Sequence, residues 1–165
     1  MPFPTTGSVI STDLDNMLRG IYRDNSDSAL TGTLVETTLK SVSIAANTIG
    51  PTGALHVVFG GKITGTAGTK IMKLKFGGTI IATTSDSAAS VLDWYFDAWC
   101  LNTATNAQRW IVHLRQDSAV GDRVSFQTSS IDTTQNQTLL VTGQLGNAAD
   151  ALTATIFDVF VVQIT

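Results

Sequence analysis

The chain has 165 residues, of which 43% are hydrophobic and 14% charged, and its formal net charge at pH 7 is −3. This length suits one domain with a sizeable core, and the charge balance excludes the basic surface that nucleic-acid binding requires. The single cysteine, Cys100, excludes an intramolecular disulfide, and no segment is long and apolar enough to span a bilayer, so we expect a chain made in the cytoplasm of its producer.

The start of the chain, residues 1–30, is predicted to form an N-terminal arm that carries one short helix. Ser11 or Thr12 can cap a helix from Asp13 to Tyr22, whose apolar residues form one stripe. The polar loop at residues 23–28 then separates the arm from the rest of the chain. The apolar residues of the arm are Phe3, Val9, Ile10, Leu14, Met17, Leu18, Ile21 and Tyr22.

Residues 31–165 are predicted to form an all-β domain, because short runs of alternating apolar and polar residues follow one another with turn residues between them. We expect about eight strands in an antiparallel two-sheet jelly roll, a fold that leaves few exposed edges. A change of phase in the first run predicts a bulge near Lys40 or Ser41. The strand through Val57 is predicted to end at Gly60-Gly61.

The clearest local pattern is a β-hairpin around Gly77-Gly78. These glycines can adopt the positive φ angles of a two-residue mirror-image turn, which pairs Phe76 with Thr79 and Leu74 with Ile81. One face of the hairpin is then apolar, and the other carries two lysines. The apolar face consists of Met72, Leu74, Phe76 and Ile81, and the lysines are Lys73 and Lys75.

Residues 91–101, VLDWYFDAWCL, predict a strand with two different faces. Residues 108–115 alternate in the same way, with Trp110 inward and His113 outward, and are predicted to pair with the first strand across a loop at residues 102–106. In the first strand, the inward face consists of Leu92, Trp94, Phe96, Ala98 and Cys100, and the outward face of Asp93, Tyr95, Asp97 and Trp99.

The last run, residues 152–164, is apolar on both faces. In a two-layer sandwich one face of each strand meets water, so the second apolar row needs a cover, either the N-terminal arm or a neighbouring subunit. The subunit interpretation assigns Phe157, Val159 and Val161 to a subunit interface. The opposite face is predicted to consist of Leu152, Ala154, Ile156, Phe160, Val162 and Ile164.

Candidate catalytic residues are few. His56 and His113 are predicted to be surface or half-buried strand residues, and Asp93 and Asp97 lie too far apart on their strand for a retaining glycosidase. We therefore predict no catalytic residue and no enzymatic activity. Two interpretations of the aromatic strand remain open, an aromatic core with a solvated edge or a sugar-binding face formed by Trp94, Tyr95 and Trp99.

Metal and cofactor motifs are absent from the sequence. Asp24, Ser26 and Asp27 are similar to the start of a calcium-binding loop, but the required glycine and terminal glutamate are missing. The chain has no CxxC, HExxH or phosphate-binding GxxxxGK motif. We therefore predict no metal and no cofactor.

Four segments carry a resemblance to a known class of proteins. SVSIAANTIGPTGALHVVFGGKITG is followed by GTKIMKLKFGGTIIATT, by NAQRWIVHLRQD and by TGQLGNAADALTATIFDVFVVQI. Over about residues 33–165, this pattern resembles the β-sandwich domains of structural proteins of tailed bacteriophages. The resemblance implies a virion protein without an active site, of a kind that occurs as head decoration proteins or as terminal modules of tail fibres, commonly as trimers with jelly-roll folds.

The first functional hypothesis is a homotrimeric cement protein on the outer surface of a phage head, which binds the major capsid protein and bridges capsid subunits. The apolar arm would contact the capsid, since an arm in front of a compact domain suits attachment to a lattice. The alternative is a tail-fibre or receptor-binding module that recognises polysaccharide on the host surface. Neither hypothesis involves nucleic acid or a membrane.

Overall fold

The computed structural model describes residues 19–87, 89, 91–116 and 121–162, and within them the chain is all-β. No helix of this part is long and apolar enough to cross a membrane. The strands are β1 (Arg19–Asp24), β2 (Ser28–Thr31), β3 (Thr37–Ile44), β4 (Ala54–Thr64), β5 (Lys70–Phe76), β6 (Thr79–Asp86), β7 (Leu92–Ala104), β8 (Ala107–Gln116), β9 (Arg123–Ser129), β10 (Gln137–Leu145) and β11 (Ala151–Val162).

The strands form two antiparallel sheets, as the sequence predicted. The large sheet has the order β1-β11-β4-β7-β8-β9, with β2 also paired to β11, and the small sheet has the order β3-β10-β5-β6. The neighbours β2-β11-β4-β7 and β3-β10-β5-β6 follow the strand order of a jelly roll, to which β1 and the hairpin β8–β9 are added. These additions explain why the described part has eleven strands where the sequence predicted about eight.

The core lies between the two sheets and is built from the alternating apolar rows of nearly every strand. Trp110 and Phe76 meet there edge to face, with their ring centroids 5.7 Å apart. Cys100 is buried as predicted, and this burial raises the pKa of its thiol far above the usual range. The largest fully buried side chains are Trp110, Phe59, Lys70, Phe76, Phe96, Phe157, Ile49, Leu55, Ile63, Met72, Leu74 and Leu139.

The hairpin β5–β6 turns at Gly77 and Gly78, whose φ angles are 53° and 78°. Phe76 pairs with Thr79, as predicted. Leu74 lies opposite Ala82 and not opposite Ile81, because the register shifts by one residue next to the turn. The predicted apolar face, Met72, Leu74, Phe76 and Ile81, is buried.

The predicted faces of the last strand are wrong after Ala154, because β11 contains a bulge. The register against β4 shifts between Ala154 and Ile156, so the inward phase changes from even to odd residue numbers at this point. Phe157, Val159 and Val161 are therefore buried against the small sheet of the same chain, with exposures of 0%, 0% and 1%. Their assignment to a subunit interface is wrong, since no surface of these side chains is open to a second subunit.

The strand β4 also runs through Gly60-Gly61, where the sequence predicted its end. A Cβ atom on Gly61 would lie 1.8 Å from the carbonyl oxygen of Thr153 on β11, so only glycine allows this approach of two backbones beside the bulge. The predicted bulge in β3 is present, because the register against β10 skips Leu39, next to Lys40.

The prediction of an N-terminal helix is wrong from residue 19 onward, where the structure describes the chain. Residues 19–24 form β1, which pairs with β11, and Ile21 and Tyr22 pack against the core. The ring of Tyr22 meets that of Phe157 edge to face at 5.6 Å. The sandwich therefore begins before the predicted boundary at residue 30. The other predicted capsid-contact residues, Phe3, Val9, Ile10, Leu14, Met17 and Leu18, lie outside the described residues.

Candidate functional site

A continuous row of apolar and aromatic side chains crosses the outer face of the large sheet, the face that points away from the small sheet. Strand register places Phe160 of β11 beside His56 of β4, then Trp99, Ile111 and finally Phe126 on the edge strand β9. Five adjacent strands span about 19 Å at the usual spacing. We call these five residues the apolar band.

The band is most exposed towards β9. Phe126 is 73% exposed and its neighbour Val124 is 57% exposed, while Ile111 and Leu101 are 37% and 39% exposed. Apolar side chains of this size that lie side by side on a surface are typical of contact sites. A cavity of about 530 Å³ opens here, lined by Leu101, Arg109, Trp110, Ile111, Phe126, Gln127 and Thr128.

His56 fixes the middle of the band. Its ring is stacked on Trp99 at 4.2 Å and on Phe160 at 5.7 Å. Its Nε2 lies 2.8 Å from Oδ1 of Asp97, while its buried Nδ1 has no hydrogen-bond partner. Because the rings cover one another's faces, the centre of the band presents ring edges to the outside, which suits packing against another protein better than stacking on a sugar.

The structure separates the three aromatic residues of the predicted sugar-binding face. Tyr95 and Trp99 lie on the outer face, as predicted, but Trp94 is 2% exposed and belongs to the core. Asp93 and Asp97 also lie on the outer face, and the carboxylate of Asp97 is hydrogen-bonded to the ring of His56. The predicted outward face of β7 is therefore correct, whereas Trp94 does not share this face with Tyr95 and Trp99.

A second, polar pocket lies where β7 begins and β8 ends, with a volume of about 560 Å³. We call it the end pocket. Nearby, His113 lies on the outer face as predicted, and its Nε2 is 3.9 Å from a carboxylate oxygen of Asp122. Nε of Arg115 lies 3.5 Å from the other oxygen of Asp122. The described residues that line the end pocket are Asp93, Trp94, Tyr95, Arg115, Gln116 and Asp122.

The outer face of the small sheet is polar. Lys73 and Lys75 point outward, as predicted, and both donate to the carboxylate of Glu36, with a Lys73–Glu36 distance of 2.5 Å. The hydroxyl of Thr142 donates to the same carboxylate at 2.8 Å. These three hydrogen bonds, led by the one from Lys73, lower the pKa of Glu36 to about 2. The two outer faces of the sandwich thus differ in chemistry.

Asp24, the last residue of β1, has a structural role. The hydroxyl and the amide of Ser26 donate to Asp24 at 2.6 and 2.9 Å, and the ammonium of Lys40 lies 2.9 Å from it. These contacts, with the Ser26 hydroxyl first, hold the pKa of Asp24 well below its usual range. Within the described ranges there is no group of three or more His, Cys, Asp or Glu side chains that could hold a metal ion.

No pattern in the sequence indicated the band as a whole. His56, Ile111 and Phe126 lie in three different segments, and they become neighbours only through the strand order of the large sheet. The exposed alternation of Val124 and Phe126 with polar residues was the available signal, since an edge strand with an apolar outer row needs a partner.

Comparisons with known proteins give distant likenesses. No protein-family model matches the chain, and no curated protein matches it. It is similar to the CBM2 module of the evolved Dit of Lactobacillus casei BL23 phage J-1, with 15% identity, a TM-score of 0.40, and coverage of 76% of this chain and 69% of that one. It is also similar to lectin II from Ulex europaeus, with 13% identity, a TM-score of 0.39, and coverage of 88% and 92%.

A third likeness is to the structure of infectious bursal disease virus, Gx strain, with 13% identity and a TM-score of 0.32. It covers 89% of this chain and 42% of that one, so this chain spans less than half of that protein. At these identities and TM-scores, the three likenesses assign neither a family nor a function.

Proposed function

We propose that the chain is a non-enzymatic structural protein of a phage particle, a decoration or cement protein that binds the outer surface of the head and bridges capsid subunits. The observation that carries the proposal is the apolar band, which leaves Phe126 and Ile111 open on a sheet face that nothing in the described chain covers. A contiguous apolar surface of this kind is costly in water unless a partner buries it. The assignment to a phage particle rests on the resemblance of the sequence to structural proteins of tailed bacteriophages.

The partner in this proposal is the major capsid protein. The stacked rings of His56, Trp99 and Phe160 form a rigid ridge, and rigid aromatic anchors lose little conformational entropy on docking. Arg109 lies beside Ile111 on the rim of the band, where a charged side chain contributes more to orientation than to affinity. Copies of the chain associate as a homotrimer in this proposal, through surfaces other than the buried face of β11.

The docking test uses phage heads assembled without this protein and measures binding by co-sedimentation. Phe126→Ser removes the most exposed anchor of the band, so we expect affinity for the heads to fall at least about tenfold. Val35→Ser is the matched control, because Val35 is 70% exposed but lies in the loop before β3, away from the band. Equal binding of the Phe126→Ser variant and the original chain would contradict docking through the band.

The arm is tested separately by a truncation that the structure defines. Removing residues 1–18 leaves β1 and its pairing with β11 in place, whereas a cut at residue 28 would remove a strand of the sandwich. Loss of head binding by a folded 1–18 deletion supports a capsid contact by Phe3, Val9, Ile10, Leu14, Met17 and Leu18. Full retention of binding would restrict the contact to the sandwich.

A second candidate function is a tail-fibre or receptor-binding module that recognises host polysaccharide. The observation that favours it is the exposed ring of Tyr95 beside the polar end pocket. Imaging of labelled protein on particles separates the two candidates. Label over the head supports the cement protein, and label confined to the tail supports the receptor-binding module.

A further inference from the structure

The end pocket has the dimensions of a small-ligand site. Its volume of about 560 Å³ lies within the range of roughly 300–1,000 Å³ that is usual for such sites. It is bounded by the cross-strand pairs Trp94–Gln116 and Tyr95–Arg115, which fix the separation of β7 and β8 at this point. No residue of the apolar band lines it. It is therefore a separate feature of the surface, on rigid strands.

Two buried donors at the end pocket lack acceptors. Trp94 is 2% exposed and Gln116 is 7% exposed, and neither the indole Nε1 of Trp94 nor the amide Nε2 of Gln116 has a hydrogen-bond partner. The amide oxygen of Gln116, by contrast, accepts from the hydroxyl of Thr84 at 3.3 Å. A buried donor without a partner loses its hydration and gains nothing in return, so an oxygen atom supplied by a ligand is favoured here.

The rim of the end pocket supplies acceptors and a cation. Asp93 is exposed and makes no hydrogen bond or ion pair within the described residues, so its carboxylate is free to accept. Asp122 and Arg115 face each other at 3.5 Å and are both more than half exposed. Two carboxylates against one guanidinium give the lining a formal charge of −1, which disfavours anionic ligands such as phosphates or carboxylates.

Tyr95 adds an aromatic surface to this polar rim. A Cβ atom on Gly60 would lie 3.6 Å from Cδ2 of Tyr95, so the ring leans over a strand position that has no side chain. Burial, with the neighbouring Asp97 carboxylate, raises the pKa of the Tyr95 hydroxyl above its usual value, and the hydroxyl remains a donor at neutral pH. An amphipathic ring of this kind offers an apolar surface and a polar tip together.

These features select one class of ligand. Donors at the inner wall, together with acceptors and an aromatic ring at the rim, match a molecule whose groups both accept and donate and which has an apolar face. We propose that the end pocket binds one residue of a neutral saccharide. Its hydroxyl oxygens accept from Trp94 and Gln116, its hydroxyl protons are donated to Asp93, and its C–H face packs on Tyr95. This site is independent of docking through the apolar band.

The test titrates the full chain, labelled with ¹⁵N, with methyl glycosides of glucose, galactose, mannose and N-acetylglucosamine. The indole N–H signals of the tryptophans report the site directly. We expect a saturable shift of the Trp94 signal with at least one of these glycosides. The Trp110 signal is the internal control, since its Nε1 already donates to Oγ of Ser129 at 3.0 Å in the core.

Variants assign the shift to the end pocket. Asp93→Asn removes an exposed carboxylate without touching the core, and Tyr95→Ala removes the ring; each should weaken binding roughly tenfold or more. Phe126→Ser, which disables the apolar band, should bind the glycoside unchanged, so failure of the docking proposal and failure of this one give different results.

Two outcomes would overturn the inference. One is the absence of a saturable Trp94 shift with every neutral glycoside at concentrations up to about 100 mM, beyond which binding is too weak to be specific. The other is tighter binding of methyl glucuronide, an anionic glycoside, than of its neutral counterpart, which would contradict the charge argument.

Discussion

Glu36 shows how one carboxylate can hold two like charges together. Lys73 and Lys75 stand two residues apart on the same face of β5 and would repel each other in the absence of a counter-charge. Glu36 lies between them and accepts from both, and Thr142 of β10 donates to it as well. A residue of the loop before β3 therefore ties together the two central strands of the small sheet.

Replacing Glu36 should make stability less dependent on pH. The folded-state pKa of about 2 lies below the value of about 4.3 for an unfolded glutamate, so the stabilisation is complete above about pH 4.3 and is lost as the pH falls through about 2. We expect Glu36→Gln to lower the free energy of unfolding by about 1–2 kcal/mol at pH 7, after allowance for solvent screening, and by almost nothing near pH 2. Urea titrations at both pH values measure this.

Asp27→Asn is the control for this comparison, because it removes the same charge from an exposed residue that has no hydrogen bond or ion pair within the described chain. Its effect should stay within about 0.5 kcal/mol at both pH values. If Glu36→Gln lowered the free energy of unfolding equally at both pH values, the side chain would act through packing and not through its charge.

At the scale of the element, the bulge in β11 decides which side chains the core receives. Before the bulge Leu152 and Ala154 point inward, and after it Phe157, Val159 and Val161 do so. A strand without the bulge would bury Ile156 and expose Phe157. Gly61 of β4 accepts the displaced backbone, since a Cβ atom there would lie 1.8 Å from the carbonyl oxygen of Thr153, so the bulge and Gly61 are two parts of one feature.

Alanine substitutions of Phe157, which points inward, and of Ile156, which points outward, test the register of β11 after the bulge. Phe157→Ala should cost about 3–5 kcal/mol of unfolding free energy, because it opens a cavity in the core. Ile156→Ala should cost less than about 1 kcal/mol, since this side chain is 42% exposed. Denaturant unfolding of both variants measures the difference, and a larger cost for Ile156→Ala would disprove the bulge.

Local patterns in the sequence predicted the parts of the fold that local chemistry determines. The turn at Gly77-Gly78, the two faces of β7 and the pairing of β7 with β8 follow from glycine conformation and from the two-residue period. The phase of β11 and the passage of β4 through two glycines did not follow, because each is set by a strand distant in the sequence. The helical stripe that includes Ile21 was overridden for the same reason, since β11 offers its edge to residues 19–24.

The candidate site was predictable to the same degree. The period of β7 placed Asp93, Tyr95, Asp97 and Trp99 on one face, and the structure confirms this. To predict that His56, Ile111 and Phe126 join Trp99 in the band, one must know the strand order of the large sheet. To predict the end pocket, one must know where the unpaired indole nitrogen of Trp94 lies. Neither can be read from spacing along the chain.

At the scale of the whole molecule, Cys100 reports how cooperatively the sandwich opens. It is fully buried between the sheets, and its thiol pKa is raised, so reaction with a disulfide reagent requires the core to open. We expect labelling in native buffer to be at least about a thousandfold slower than in denaturant, as the stability of an ordinary domain implies. Absorbance of the released thiol follows the reaction.

The control for this measurement carries Cys100→Ala together with Val124→Cys, on an edge strand where residue 124 is 57% exposed. This variant should react at the rate of a free thiol without opening of the core. Rapid labelling of Cys100 in a chain that keeps its native circular dichroism would indicate that the two sheets separate without global unfolding.

The pairing of β1 with β11 also determines how the domain responds to mechanical load. Arg19 lies opposite Val161, so both ends of the described chain leave the sandwich at the same corner. A force that pulls these ends apart would act on the hydrogen bonds of this antiparallel pair one after another, as in a zipper, and not on all of them at once. The domain therefore resists tension between its two ends weakly, whereas a load that enters through the apolar band is shared across five hydrogen-bonded strands.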